Sequence, residues 1–220
     1  MNDAPIRIAV LVSGAGRGSN MQSIIDGCLS EQIYGSVVLV IGSKDDAPAM
    51  IRAREAGIHT VVVSSKDYPD CMHRDIRMHE VLQEYKVDLV CLAGYMSLLG
   101  PKCVESYRNR IMNIHPALLP SFCGDGMYGH HVHEAVIARG AKISGATVHF
   151  VDEKYDSGPI ILQAAVAVLD TDTPDTLAAR VLEIEHKIYP DAVALFSEDR
   201  LELVDHRVII QEVALELSQL

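Results

Sequence analysis

The chain has 220 residues, 49% of them apolar and 22% charged, which suits one large domain or two intimately joined halves around a sizeable core. A formal net charge of −11 argues against a nucleic-acid surface, which needs a basic excess, but not against a small anionic ligand held by backbone amides. Five widely spaced cysteines without a Cys-x-x-Cys pair, no basic segment leading into a signal-like stretch, and no apolar run near the roughly 20 residues of a membrane span together predict a cytoplasmic protein.

Ile6 to Val12, apolar except for Arg7, reads as a buried parallel strand. The loop Ser13-Gly-Ala-Gly-Arg-Gly-Ser-Asn20 follows, and then Met21, Ile24 and Ile25 recur at helical spacing. Strand, glycine loop and helix N-terminus in that order favour an anion, because exposed amides and the helix dipole both attract phosphate. The glycines at 14, 16 and 18 miss the dinucleotide fingerprint by one residue, and no Gly-Lys-Ser/Thr follows as in a Walker loop. A plain tight turn is the other reading.

Residues 36–41 and 60–63 read as strands, with a helix over 47–56 stopped by Gly57. An amphipathic helix is predicted over 70–85, with Ile76, Val81 and Leu82 inward and His73, Arg74, Arg77 and His79 solvated. Residues 87–92 form another buried strand. The stretch 93–100 leaves it carrying Met96, Leu98 and Leu99, which either wall an apolar ligand slot or pack under a loop.

Residues 110–115 read as a strand that Pro116 stops. Side chains alternate along a strand, so Asn113 and His115 point the same way at its carboxyl end, where open α/β sheets bind their ligands. An amide donor beside an imidazole suits acyl chemistry: one holds a developing oxyanion, the other moves a proton. The same residues also fit a strand end with two satisfied polar side chains. His130, His131 and His133 are poorly spaced for a closed metal site, so loop hydrogen bonding is expected there.

Residues 146–151, with His149 embedded, and 160–168 read as strands flanking a polar loop. Thr173-Pro-Asp opens a helix with a core stripe of Leu177, Val181, Ile184 and Ile188, from whose centre Glu183 and Glu185 fall away. A short strand at 201–204 precedes a tail of no clear period. The rhythm predicts an α/β protein: a single doubly wound, mostly parallel twisted sheet with helices on both faces and an antiparallel extension near the C-terminus.

Five motifs then resemble the phosphoribosylglycinamide formyltransferase family: Gly18-Ser-Asn20, Leu92-Ala-Gly-Tyr-Met96, Asn113-Ile-His-Pro-Ala-Leu-Leu-Pro120, Thr147-Val-His-Phe-Val151 running into Asp156-Ser-Gly-Pro159, and Glu185-His186 with Ile188-Tyr-Pro190. The resemblance covers residues 6 to about 203. It implies a formyltransferase domain over 1–204, phosphate-binding in its N-terminal part and folate-binding and catalytic in its C-terminal part, with 205–220 as a tail. The substrate phosphate would meet Gly18, Ser19 and Asn20, and the ribose Glu185. The folate would lie on Met96, Ser97, Leu98 and Leu99 and on the loop Asp152, Glu153, Lys154, Tyr155 and Asp156. Asn113, His115 and Asp156 would be the catalytic trio, with Asp156 raising the His115 pKa.

The implied reaction moves a formyl group from 10-formyltetrahydrofolate to the amine of phosphoribosylglycinamide in purine synthesis. It implies small-molecule partners only, with neither metal, nucleic acid nor membrane, and a monomer or homodimer. The sequence departs from the family pattern in its longer glycine loop, in Ser97 where a basic residue is usual, and at Leu182, three residues before Glu185. The rival is formyltetrahydrofolate deformylase, whose relatives usually carry an extra N-terminal domain and a second histidine where Pro116 stands.

Overall fold

Unbroken apolar runs become strands buried on both faces, as parallel pairing with helical crossovers requires. In the computed structural model, which describes residues 4–14 and 16–212, these runs and more polar strands toward the edges form one seven-stranded sheet. Its strands are β1 (Ile6–Val12), β2 (Gly35–Gly42), β3 (His59–Val62), β4 (Leu89–Ala93), β5 (Ile111–His115), β6 (Ile143–Phe150) and β7 (Ile160–Ala167), in the order β3-β2-β1-β4-β5-β6-β7. Pairing is parallel from β3 through to β5 and antiparallel from β5 to β7, the extension expected from the sequence. The chain winds outward from β1 in one direction and from β4 in the other. The crevice between their carboxyl ends is therefore the topological switch point, where such sheets bind ligands.

Helices α1 (Ser19–Leu29), α2 (Pro48–Glu55), α5 (His130–Ala138) and α6 (Pro174–Ser197) contribute to one core, with Met21, Ile24, Met50, Val132, Val136, Leu177 and Val181 buried in it. Helices α3 (Cys71–Glu84) and α4 (Pro101–Ser106) cover the other face through Met78, Val81, Leu82, Cys103 and Val104. Both faces of the sheet are thus covered.

Three expectations need correction. Ile76 faces solvent, 40% exposed, and Asp75 is buried instead. The reason is α4, which the sequence reading did not anticipate: the Asp75 carboxylate accepts the Lys102 N–H at 2.7 Å and the Cys103 N–H at 3.1 Å, capping a helix whose own N-cap, Gly100, has no side chain to do so. Glu185 does not fall away from the core stripe of α6 but is buried, 7% exposed. The stretch from 205, expected as a tail of no clear period, begins in regular structure. Asp205 and His206 form the turn of a hairpin between β8 (Leu201–Val204) and β9 (Arg207–Ile210), and the His206 ring donates to the Ser157 carbonyl at 3.0 Å. Residues 213–220 of the expected tail lie outside the described residues.

One contact ties α6 to the strand ends that carry the polar residues. The Tyr189 hydroxyl, fully buried, lies 3.0 Å from the carbonyls of both Leu92 and Met112 and so bridges β4 and β5 from below. Tyr189→Phe removes that donor from a dry site. It should lower unfolding stability by about 1–3 kcal/mol, measured by urea denaturation; an unchanged midpoint would show that the bridge carries no load.

Candidate active site

Strand β5 ends in alternating register, with Met112 and Ile114 entering the core under α6 and Asn113 and His115 on the opposite side. β6 runs antiparallel beside it, pairing Asn113 with His149 and His115 with Thr147. Cross-strand partners share a face, so three polar side chains, Asn113, His115 and His149, gather at one edge. Thr147 secures the turn beyond: its hydroxyl donates to the Ala117 carbonyl at 2.7 Å and accepts the Leu119 N–H at 3.1 Å.

Asp156 closes the group from the β6–β7 loop. Its Oδ2 lies 3.6 Å from His115 Nδ1 and its Oδ1 lies 3.7 Å from His149 Nε2. The Gly124 N–H donates to Oδ2 at 3.2 Å. The other His115 nitrogen, Nε2, donates to the Phe122 carbonyl at 2.9 Å, so Nδ1 is the nitrogen left for chemistry. Both loops bend sharply to reach inward, with left-handed backbone at Phe122 (φ 51°) and Asp156 (φ 51°). Aspartate tolerates that conformation better than a bulky side chain does, and strain of this kind gathers at functional sites.

Burial governs the electrostatics. His115 is pushed below the usual imidazole range because its ring is buried; the Asp156 carboxylate and the Phe122 carbonyl pull the other way without winning. The expected rise in the His115 pKa is therefore not found, although Asp156 acts in the expected direction. For Asp156 itself burial opposes ionisation, yet the flanking imidazoles, each charged only when protonated, and the Gly124 amide hold it below the usual carboxylate range. His133, buried nearby with Nδ1 unpartnered, is pushed down to about 4, first by burial and then by His130 and His115.

These groups open into one cleft of about 460 Å3. Asn20 and Glu185 belong to its lining. The Asn20 amide donates to Glu185 Oε2 at 2.7 Å, linking the glycine loop to α6, and burial raises the Glu185 pKa against that bond. Met96, Leu98 and Leu99 supply an apolar wall, with Met96 and Leu98 each 48% exposed. Among the residues anticipated from the sequence, Asn20, Met96, Ser97, Leu98, Leu99, Asn113, His115, Lys154, Tyr155, Asp156 and Glu185 line this cleft.

Four do not. Gly18 and Ser19 sit at the head of α1, which has neither a side-chain cap nor an acidic first turn. Gly18 is left-handed (φ 75°), and a Cβ there would come within 2.9 Å of the Ala49 side chain. Asp152 turns back to accept from Lys154 N and Ser157 Oγ, and Glu153 pairs with Arg108. Ala15, in the lengthened loop, lies outside the described residues. The sequence reading missed His149, His133 and the loop Gly124–Gly129 as lining. His149 had one usable signal: a histidine inside a strand that is otherwise apolar.

His130 pairs with Glu134 and Asp175, and His131 with Glu134. No group of three or more His, Cys, Asp or Glu side chains able to hold a metal occurs among the described residues. None of their helices is long and apolar enough to cross a membrane.

An amide donor, a buried imidazole with one free nitrogen and a carboxylate, gathered at the switch point of a doubly wound sheet, define an α/β enzyme built for chemistry at a carbonyl carbon. Residues 6–193 match the family described as formyl transferase. The chain is 42% identical over 200 residues to a phosphoribosylglycinamide formyltransferase of Escherichia coli (strain K12), covering 90% of each. It is 44% identical over 197 residues to a chloroplastic one of Arabidopsis thaliana, covering 89% of this chain and 67% of that protein. The crystal structure of glycinamide ribonucleotide transformylase 1 from Symbiobacterium toebii superposes with a TM-score of 0.88 at 45% identity, covering 94% of each chain. The chain belongs to the formyl transferase family.

The balance at His115 has a direct test. Asp156→Asn removes the charge that favours the imidazolium and leaves only the Phe122 carbonyl against burial, so the His115 pKa, already below the usual imidazole range, should fall further. NMR titration of wild type and variant reads this; a value that rises or stays put in the variant would contradict the assignment of Asp156 as its counter-charge.

Proposed function

We propose that this protein transfers the formyl group of 10-formyltetrahydrofolate to the glycine amine of phosphoribosylglycinamide, a step of purine biosynthesis. The observation that carries this reading is convergence: Asn113 and His115 open into the same cleft as an acidic–amide pair at Asn20 and Glu185 and an apolar wall at Met96 to Leu99. The glycine-loop amides of Gly18, Ser19 and Asn20 take the phosphate, uncapped as α1 is. Glu185 takes the ribose hydroxyls, since a buried carboxylate with a single side-chain donor has room for more. The folate lies along Met96, Ser97, Leu98 and Leu99 and reaches the loop carrying Lys154, Tyr155 and Asp156. We assign the working protein to the cytoplasm, consistent with five unbridged cysteines.

The amine lone pair attacks the formyl carbon, and the carbonyl oxygen of the resulting tetrahedral intermediate becomes negative. Asn113 Nδ2 donates to that oxygen. His115 rests neutral because it is buried, so Nδ1 is free to accept the proton released by the attacking amine. Asp156, 3.6 Å away, stabilises the imidazolium as it forms. The carbon–N10 bond breaks, N10 takes the proton from His115, and the imidazole returns to neutral. No covalent enzyme intermediate is needed.

The test is a formyl-transfer assay with and without phosphoribosylglycinamide. The formyl donor should be consumed only when the amine is present; equal consumption without it would make the protein a hydrolase of the deformylase type. Asn113→Ala should cut turnover by roughly a hundredfold or more, the usual cost of one oxyanion donor, about 2.7–4 kcal/mol, with His115→Ala at least as severe and both variants folded by circular dichroism. Near-normal rates in both would return these residues to a structural role.

A further inference from the structure

We infer that His149 is a positioning residue, which as its Nδ1–H tautomer holds the Asn113 carboxamide with nitrogen, rather than oxygen, toward the reacting carbonyl. This rests on the formyl-transfer reading of the same site. His149 is 2% exposed and stands directly opposite Asn113. The β6–β7 register slips between Val148 and His149, where Leu162 and Ile160 are the successive partners and Ile161 is skipped. Such a slip re-aims the side chain beside it, and these bulges are common next to active sites.

The tautomer follows from the partners. His149 Nδ1 lies 2.7 Å from the Phe150 carbonyl, which can only accept, so Nδ1 carries the hydrogen. In the neutral ring Nε2 then carries a lone pair. Its hydrogen-bonding neighbour is Asn113 Nδ2 at 3.2 Å, whereas Asp156 Oδ1 stands off at 3.7 Å. Were the carboxamide reversed, Oδ1 would face that lone pair, oxygen against nitrogen with no proton between. The amide is held nitrogen-inward, and its second N–H remains for the oxyanion. A protonated His149 would instead turn Nε2–H toward Asp156 and admit the amide oxygen, placing a carbonyl where the developing charge needs a donor. His149 therefore acts through Asn113, not on substrate.

Two measurements separate this from a merely structural role. Nitrogen-15 NMR of the wild-type protein should find His149 as the Nδ1–H tautomer; a proton on Nε2 would overturn the inference whatever the activity data show. In kinetics, His149→Leu should lower kcat by about thirtyfold or more while KM for both substrates moves less than about threefold. In an Asn113→Ala background the same change should cost less than about twofold, because the group it positions is gone. His149→Gln, whose Oε1 can accept the same N–H, should recover about tenfold over His149→Leu. An equal loss in both backgrounds would reduce His149 to packing. Absence of transfer by wild-type protein would count against the formyl-transfer reading and leave the tautomer result standing. Should His149→Leu fail to fold, the tautomer measurement decides alone.

Discussion

A single carboxylate, Asp156, reaching inward between two buried imidazoles sets the conditions for everything else at this site. Without it, burial alone would leave His115 harder to protonate. With it, the ring rests neutral yet has a counter-charge 3.6 Å away for the moment it takes up a proton. Such a pair works only in a dry setting, where a few ångströms of separation matter. The fold provides that setting by closing two loops over the end of β5, one carrying the Phe122 carbonyl and the Gly124 amide, the other carrying Asp156.

That arrangement depends in turn on the change of strand direction at β5. A fully parallel sheet would use the helix after β5, here α5, to return the chain to the amino edge before the next strand. Here β6 returns antiparallel, so a second polar side chain, His149, stands directly opposite Asn113. The β6–β7 connection then comes back to the same edge and delivers Asp156. The parallel half supplies the glycine loop after β1 and the apolar wall after β4. The antiparallel half adds His149 and Asp156 beside His115 on β5, and Tyr189 and the Asn20–Glu185 bond tie α6 to β4, β5 and the start of α1.

Much of this was legible in the sequence, for physical reasons. Buried parallel strands must be apolar throughout, so β1, β2 and β4 announce themselves. Asn113 and His115 stand two residues apart before a strand-ending proline, and period two puts them on one face. What escaped was tertiary. Asp75 looks like a solvated residue on α3 until the uncapped start of α4 draws it inward, and Ile76 is displaced to the surface as a result. Glu185 looks peripheral by helical phase alone and is buried because Asn20, 165 positions away, meets it. His149 reads as a core histidine until register sets it against Asn113. The net direction of the His115 shift escaped as well, because a sequence reveals a neighbouring charge more readily than the depth of burial opposing it.

The central claim is that one cleft brings an amine and a formyl carbon together at the end of β5. A crystal structure with phosphoribosylglycinamide and tetrahydrofolate bound tests it most directly. The phosphate should lie on the amides of Ser19 and Asn20, the ribose hydroxyls on Glu185, and the glycine amine should face N10 of the folate across Asn113 Nδ2 and His115 Nδ1. Ligands that occupy the cleft with the amine turned away from β5, or a phosphate bound elsewhere, would contradict the account.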